Sequence, residues 1–282
     1  KNNKQNQSIL ISGESGSGKT VSSKLIMNFL TNTEKNNQIK NNIRLSNSIL
    51  EAFGNAKTIC NNNSSRFGKF IKLVFNDQNK LIGGHIDTYL LETIRVTQQT
   101  QFERNYHIFY QLLSGLSDND KQKYYLTNYE NRDILNFPNT KFKLPDDKKQ
   151  WNITLVSMNK MGFTKNDIDC ICRVISSILN INNYDIVSEL LEIPRKYLET
   201  SFSIKTIYTN NESYTIQLTP QQIKETKNTF IHLIYKKMFS WIVDKVNQSF
   251  QNNFTLENKK FIGILDIFGF EVFKKNGFEQ LC

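Results

Sequence analysis

The chain has 282 residues, 38% of them hydrophobic, enough for one large domain or two smaller ones. It has no apolar run of about 18 residues, so no segment reads as a membrane-spanning helix, and Lys1-Asn2-Asn3-Lys4-Gln5 does not open a signal peptide. The net charge of +10 invites a nucleic-acid reading. However, the lysines fall in short pairs such as Lys148-Lys149 (offset by Asp146-Asp147), Lys236-Lys237 and Lys274-Lys275, with no basic stripe alternating with stacking aromatics. We read them as solvated faces and expect no nucleic-acid or membrane partner.

The cysteines Cys60, Cys170, Cys172 and Cys282 are scattered. Cys170 and Cys172 are two apart, point to different faces of a helix and make a poor metal pair. Cysteines spread through a large chain fit a reducing compartment. The sequence starts just before an apolar strand and stops inside what reads as a new helix, so both ends look cut. A domain cut in this way leaves edges and apolar faces uncovered and is expected to aggregate when isolated.

In chain order, Ser8 to Ser12 reads as a buried strand entering a turn at Gly13, and Lys19 to Leu30 as a helix on the spacing of Val21, Leu25, Ile26, Phe29 and Leu30. Thr31 to Asn42 is polar and reads as an exposed loop. Ile43 to Phe53 is a helix ended by Gly54-Asn55. Phe70 to Phe75 and Leu81 to Leu90 form a hairpin about Asn76-Asp77-Gln78-Asn79. Helices are expected at Tyr106–Leu113, Gln150–Met161, Asp167–Leu179 and Asp185–Leu191. Thr206 to Leu218 reads as a β-like surface loop, after which Pro220 opens a long helix to about Phe250. Phe261 to Asp266 is a buried strand, and Phe278-Glu279-Gln280-Leu281 begins another helix.

Gly13-Glu14-Ser15-Gly16-Ser17-Gly18-Lys19-Thr20 fits the phosphate-loop pattern of glycine, four residues, then Gly-Lys-Ser/Thr. The glycines let backbone N–H groups wrap phosphate oxygens. Lys19 supplies a charge to the β- and γ-phosphates, the Thr20 hydroxyl is placed for Mg2+, and the helix N-terminus adds its dipole. A strand ends at the first glycine and a helix starts at the lysine, as such a loop requires. Two further stretches stand out. Asn61-Asn62-Asn63-Ser64-Ser65-Arg66-Phe67-Gly68-Lys69 lies between a helix and a strand, and Asp266-Ile267-Phe268-Gly269-Phe270-Glu271 follows a buried strand. Taken alone, an Asn-rich loop is an ordinary solvated turn, and an Asp at a strand end is an ordinary cap.

Together and in this order, the three stretches resemble the phosphate loop (13–20), switch I (61–69) and switch II (266–271) of the myosin motor head. Leu50 to Thr58, Glu103 to Leu113 and Phe278 to Cys282 are similar to that family as well. Kinesin shares the Ser-Ser-Arg core but follows it with Ser-His rather than Phe67-Gly68, and it spaces its loops differently. The resemblance covers essentially the whole chain. It implies an α/β fold, the P-loop NTPase core of a myosin head, with a mixed central sheet flanked by many helices and incomplete at both ends, with a relay-type helix starting over 276–282.

The resemblance also implies roles. ATP and Mg2+ are the expected ligands, with Gly13, Glu14, Ser15, Gly16, Ser17, Gly18, Lys19 and Thr20 cradling phosphate. Thr20 and Ser65 would ligate Mg2+, and Asp266 would hold it through water. Ser64 and the Gly269 backbone would bracket the γ-phosphate, while Asn61 and Lys19 neutralise charge. Arg66 and Glu271 would pair when the switches close. Glu212 is the candidate acidic residue of an actin-facing loop. Actin filaments are the expected partner, with light chains or calmodulin on a lever outside this sequence, and the location is cytoplasmic and cytoskeletal. The implied activity is actin-activated ATP hydrolysis driving movement, with this segment alone inactive. The alternative is a non-motile tether that holds nucleotide or actin.

Overall fold

The computed structural model describes residues 5–13, 17–32, 37–127, 134–136, 146–209, 212–250 and 259–267. β1 (Gln7–Ile11) leads through the phosphate loop into α1 (Lys19–Asn32), followed by α2 (Asn37–Gly54). The polar stretch expected to be a loop therefore contributes the first turns of α2. Ile39, Ile43, Leu50 and Phe53 recur at helical spacing and are all buried, and this periodicity outweighs the surrounding asparagines.

Two short strands, β2 (Asn55–Ala56) and β3 (Ser64–Ser65), pair antiparallel and pin the two ends of the loop between them. β4 (Gly68–Phe75) and β5 (Leu81–Tyr89) form the expected hairpin. Its turn is built by Asn76, whose Oδ1 accepts from the N–H groups of Gln78 and Lys80.

A 3-10 turn (Thr93–Val96) precedes a helical region made of α3 (His107–Gly115), α4 (Asp118–Lys123), α5 (Asp147–Lys160), α6 (Lys165–Leu179), α7 (Tyr184–Leu191) and α8 (Arg195–Ser203). The sequence reading did not anticipate α4, α8 or the 3-10 turn, each too short for a full periodic signal. α5 and α6 start a few residues earlier than read because their caps lie outside the apolar pattern. Asp146 accepts from Lys149 N–H, and Thr164 with Asp167 forms a capping box.

The segment read as a β-like surface loop is a hairpin of β6 (Ile204–Thr209) and β7 (Glu212–Gln217), with Ile207, Tyr208, Tyr214 and Ile216 exposed. α9 (Pro220–Phe250) follows, capped by Thr219, whose hydroxyl accepts from Gln222 N–H while Gln222 Oε1 accepts from Thr219 N–H. The last described strand is β8 (Lys260–Asp266).

The main sheet runs β1-β8-β4-β5, with β1 and β8 parallel and the other pairs antiparallel. β1 is an edge strand among the described residues, and Leu10 is 62% exposed, so the strand is not buried as its composition suggested. On the opposite edge, α9 closes the sheet. Asn247 Oδ1 accepts from Ile86 N–H (2.8 Å) and its Nδ2 donates to Ile86 C=O (2.9 Å), so one side-chain amide serves as a short extra strand for β5. Farther along α9, Tyr235 stacks on Tyr106 and Phe109 and donates its hydroxyl proton to Phe53 C=O. Among the described residues, no helix is long and apolar enough to cross a membrane.

Candidate nucleotide site

Gly13 has φ 151° and Gly18 has φ 89°, conformations that residues with a Cβ rarely adopt. A Cβ on Gly13 would lie 2.8 Å from Ser17 Oγ, so Ser17 approaches Gly13 too closely for a larger residue there. Lys19 opens α1 and its Nζ donates to Gly13 C=O at 2.6 Å, folding the amine back over the loop. Thr20 sits half-buried in the first turn of α1. Glu14, Ser15 and Gly16 lie outside the described residues.

Strand register brings the three motifs to one end of the sheet. Ile11 is opposite Asp266 in the parallel pair, and Lys69 is opposite Asp266 in the antiparallel pair. The C-terminal ends of β1 and β8 therefore meet the N-terminal end of β4, although the motifs are far apart in sequence. Asp266 is buried, with Oδ2 3.6 Å from Lys69 Nζ, and Lys69 Nζ donates to Asn47 Oδ1 at 3.2 Å. At that separation the lysine offers charge rather than a hydrogen bond, and Asp266 Oδ2 has no hydrogen-bond partner among the described residues.

The loop that carries the Asn61–Lys69 stretch is shaped from within. Thr58 N–H donates to Asn61 C=O (2.8 Å), Asn61 N–H to Thr58 Oγ1 (3.1 Å), and Asn63 N–H to Asn61 Oδ1 (2.9 Å). Ser64 is buried and its Oγ accepts from Arg66 Nη1 at 3.3 Å, while Ser65 Oγ donates to Phe67 C=O at 3.0 Å. Arg66 N–H donates to Gly54 C=O, and the Phe67 ring lies so close to Gly54 that a Cβ there would meet it at 2.3 Å. Gly54, read as a helix end, is also required by this close approach.

Behind the loop lies a buried ionic network that the sequence reading did not identify. Glu92 Oε2 lies 2.6 Å from Arg66 Nε and 2.8 Å from Arg95 Nε, and Arg95 Nη1 lies 3.0 Å from Glu103 Oε2. Arg104 stacks over the Tyr110 ring and pairs with Asp147 at 2.7 Å. Three arginines thus face three carboxylates, which lets so much charge be buried. Burial alone would raise the Glu92 carboxyl, but Arg95 and Arg66 together hold it below the ordinary carboxylate range. The Asp147 carboxyl is raised, because burial outweighs its pairing with Arg104. The available signals were the Glu92-x-x-Arg95 spacing and the Glu103-Arg104 pair in a stretch already similar to the family.

The donor set suits Mg2+, a hard ion that takes oxygen ligands and keeps waters. Thr20 and Ser65 offer hydroxyls, and Asp266 offers a buried carboxylate with an oxygen that lacks a hydrogen-bond partner among the described residues. Gly269, Glu271 and the helix expected over 276–282 lie outside the described residues. Glu212 is placed as the first residue of β7, at the tip of the exposed hairpin.

The family model described as Myosin head (motor domain) matches residues 1–282. "Myosin-I heavy chain" of Dictyostelium discoideum is 38% identical over 302 residues, covering 99% of this chain and 13% of the relative. "Myosin-2" of Saccharomyces cerevisiae is 37% identical, covering 100% of this chain and 20% of the relative. "Myosin heavy chain IB" of Acanthamoeba castellanii is 38% identical, covering 98% and 26%. The chain therefore spans only about an eighth to a quarter of the length of these relatives.

Proposed function

The chain belongs to the myosin head (motor domain) family, and on that premise we propose that it binds MgATP and hydrolyses it to drive movement along actin filaments. The observation that carries the reading is the strand register that aligns Ile11, Asp266 and Lys69, which would gather the phosphate loop, the start of switch II and the end of switch I at one end of the sheet. A P-loop enzyme needs that convergence because phosphoryl transfer depends on positioning and charge neutralisation rather than on a strong base.

In this reading the loop amides and Lys19 hold the β- and γ-phosphates. The Thr20 and Ser65 hydroxyls would hold Mg2+, with Asp266 behind them through water, and when bound the ion would supply charge neutralisation for the phosphate oxygens. Ser64, whose Oγ accepts from Arg66, would bracket the γ-phosphate together with the Gly269 backbone. Asn61 neutralises charge beside it. Arg66 pairs with Glu271 on closure, excluding bulk water and orienting the attacking water. The β6–β7 hairpin, with Glu212 at its tip, faces actin. Light chains or calmodulin belong to a lever outside these residues, and the protein works in the cytoplasm on the cytoskeleton.

The test is phosphate release by the full-length polypeptide that carries these residues, with and without filamentous actin. Actin-stimulated turnover supports the motor reading. Nucleotide binding without turnover would make the protein a tether.

A further inference from the structure

Asn63 is one of three consecutive asparagines, yet its side chain touches three elements and reaches a fourth through Glu51. Its Nδ2 donates to Glu51 Oε2 on α2 at 3.2 Å, and its Oδ1 accepts from Asn55 Nδ2 on β2 at 2.9 Å. The same oxygen lies 3.1 Å from His107 Nε2 on α3. Glu51 Oε1 is in turn 2.7 Å from Lys24 Nζ on α1, the helix that begins at the phosphate loop.

The amide orientation is dictated by the partners. A carboxylate only accepts, so the amide NH2 must face Glu51 and the carbonyl must face His107. His107 then donates from Nε2 and keeps its proton there. Burial, with Arg104 nearby, pushes the His107 pKa down to about 4, so the ring is a neutral, fixed donor near neutral pH. For Glu51, burial acts upward, but Lys24 outweighs it and keeps the carboxyl ionised. Every link is therefore in the protonation state that its hydrogen bond needs.

We propose that Asn63 is a positioning residue that latches switch I to the phosphate-loop helix through Glu51 and Lys24, and so sets how readily switch I swings away to release MgADP. The proposal rests on the reading above that Ser64 and Ser65 face the nucleotide. Asn63 is covalently joined to Ser64, so an outward movement of the two serines strains or breaks the Asn63–Glu51 hydrogen bond. That bond is charge-assisted but lies near the surface, so its loss is worth about tenfold in a rate rather than several hundredfold.

The experiment is the rate of mant-ADP release in the presence of Mg2+ from the full-length protein, with thermal melting alongside. Asn63→Asp places a carboxylate against Glu51 and should speed release about tenfold, while Asn63→Ala, which removes the amide, should do nearly the same. The double swap Glu51→Gln with Asn63→Asp reverses donor and acceptor at unchanged net charge. It should bring release back to within about threefold of wild type, since the bond returns with altered geometry. If both single variants release MgADP at the wild-type rate, or if the swap stays as fast as Asn63→Asp, the latch is overturned. A melting temperature that falls and recovers while release never changes also overturns it, because Asn63 would then only be structural. A wild-type protein that fails to bind mant-ADP overturns the nucleotide-site reading itself, a different result from either of these.

Discussion

Arg66 Nε lies 2.6 Å from Glu92 Oε2 with both side chains about 4% exposed, and Glu92 N–H also donates to Arg66 C=O. Arg66 is thus held by backbone and side chain to a residue outside the three stretches proposed as nucleotide loops. Glu92 occupies Nε while Arg66 Nη1 reaches Ser64, so the carboxylate fixes the direction in which the guanidinium fork points. Replacing Glu92 by Gln keeps the shape but leaves Arg66 and Arg95 short of a buried negative charge, a loss of about 3–5 kcal/mol if fully buried. We expect Glu92→Gln to melt well below wild type and, where folded, to bind ATP with a reduced burst of hydrolysis. Wild-type melting and a wild-type burst in a quenched-flow experiment would show that the pair is incidental.

Acid should weaken this protein in two stages. His107 titrates near 6.5 when unfolded and near 4 when folded, so the unfolded chain binds the extra proton in between. Stability is full above pH 6.5 and falls by about 3 kcal/mol as pH drops to about 4. The Glu51 and Glu92 carboxyls are depressed below 4.5, so their contribution is present above that value and is lost below it. In melts across pH, His107→Gln should flatten the first stage and leave the second. An unchanged slope between pH 6.5 and 4 would assign the loss to other groups.

Lys69 is the cation nearest Asp266 at the described end of the sheet, 3.6 Å away. Lys69→Met should lower the melting temperature by the equivalent of about 2–4 kcal/mol, because a buried carboxylate loses its counter-charge. Added MgADP should then restore more stability in the variant than in wild type. An equal shift in both proteins would argue that Asp266 does not sense the metal.

Glu212 is the first residue of β7, in a hairpin whose Ile207, Tyr208, Tyr214 and Ile216 are exposed. Glu212→Ala in the full-length protein should lower actin-activated turnover several-fold and spare the basal rate, as expected of a charge that steers association. Equal effects on both rates would remove the residue from the actin-facing role.

Much of the architecture was legible because it is written in local pattern. The Phe70–Phe75 hairpin strand and the Pro220 helix start each carry their own signal, and the structure has them where the pattern puts them. Short elements such as α8 were not, since Leu198 and Phe202 alone make too brief a periodicity. The exposure of Leu10 was invisible because an apolar strand reads the same at an edge as at the centre of a sheet. The Arg66–Glu92 and Asn63–Glu51 contacts were unreadable for a different reason. They depend on how the chain returns between elements, and a polar residue's partner is not encoded in its own neighbourhood.

The most direct test of the account is a charge swap between Arg66 and Glu271 in the full-length protein, read by mant-ATP binding and by the single-turnover phosphate burst. If closure of the two switches is what makes the site hydrolytic, Arg66→Glu and Glu271→Arg should each bind ATP and give no burst. Arg66→Glu also sets a carboxylate against buried Glu92, so it is read at a temperature where its melt shows it folded. The double swap should recover the burst in part, since attraction returns while the bidentate geometry does not. A normal burst from either single variant, or no rescue by the swap while both singles bind ATP tightly, would contradict it.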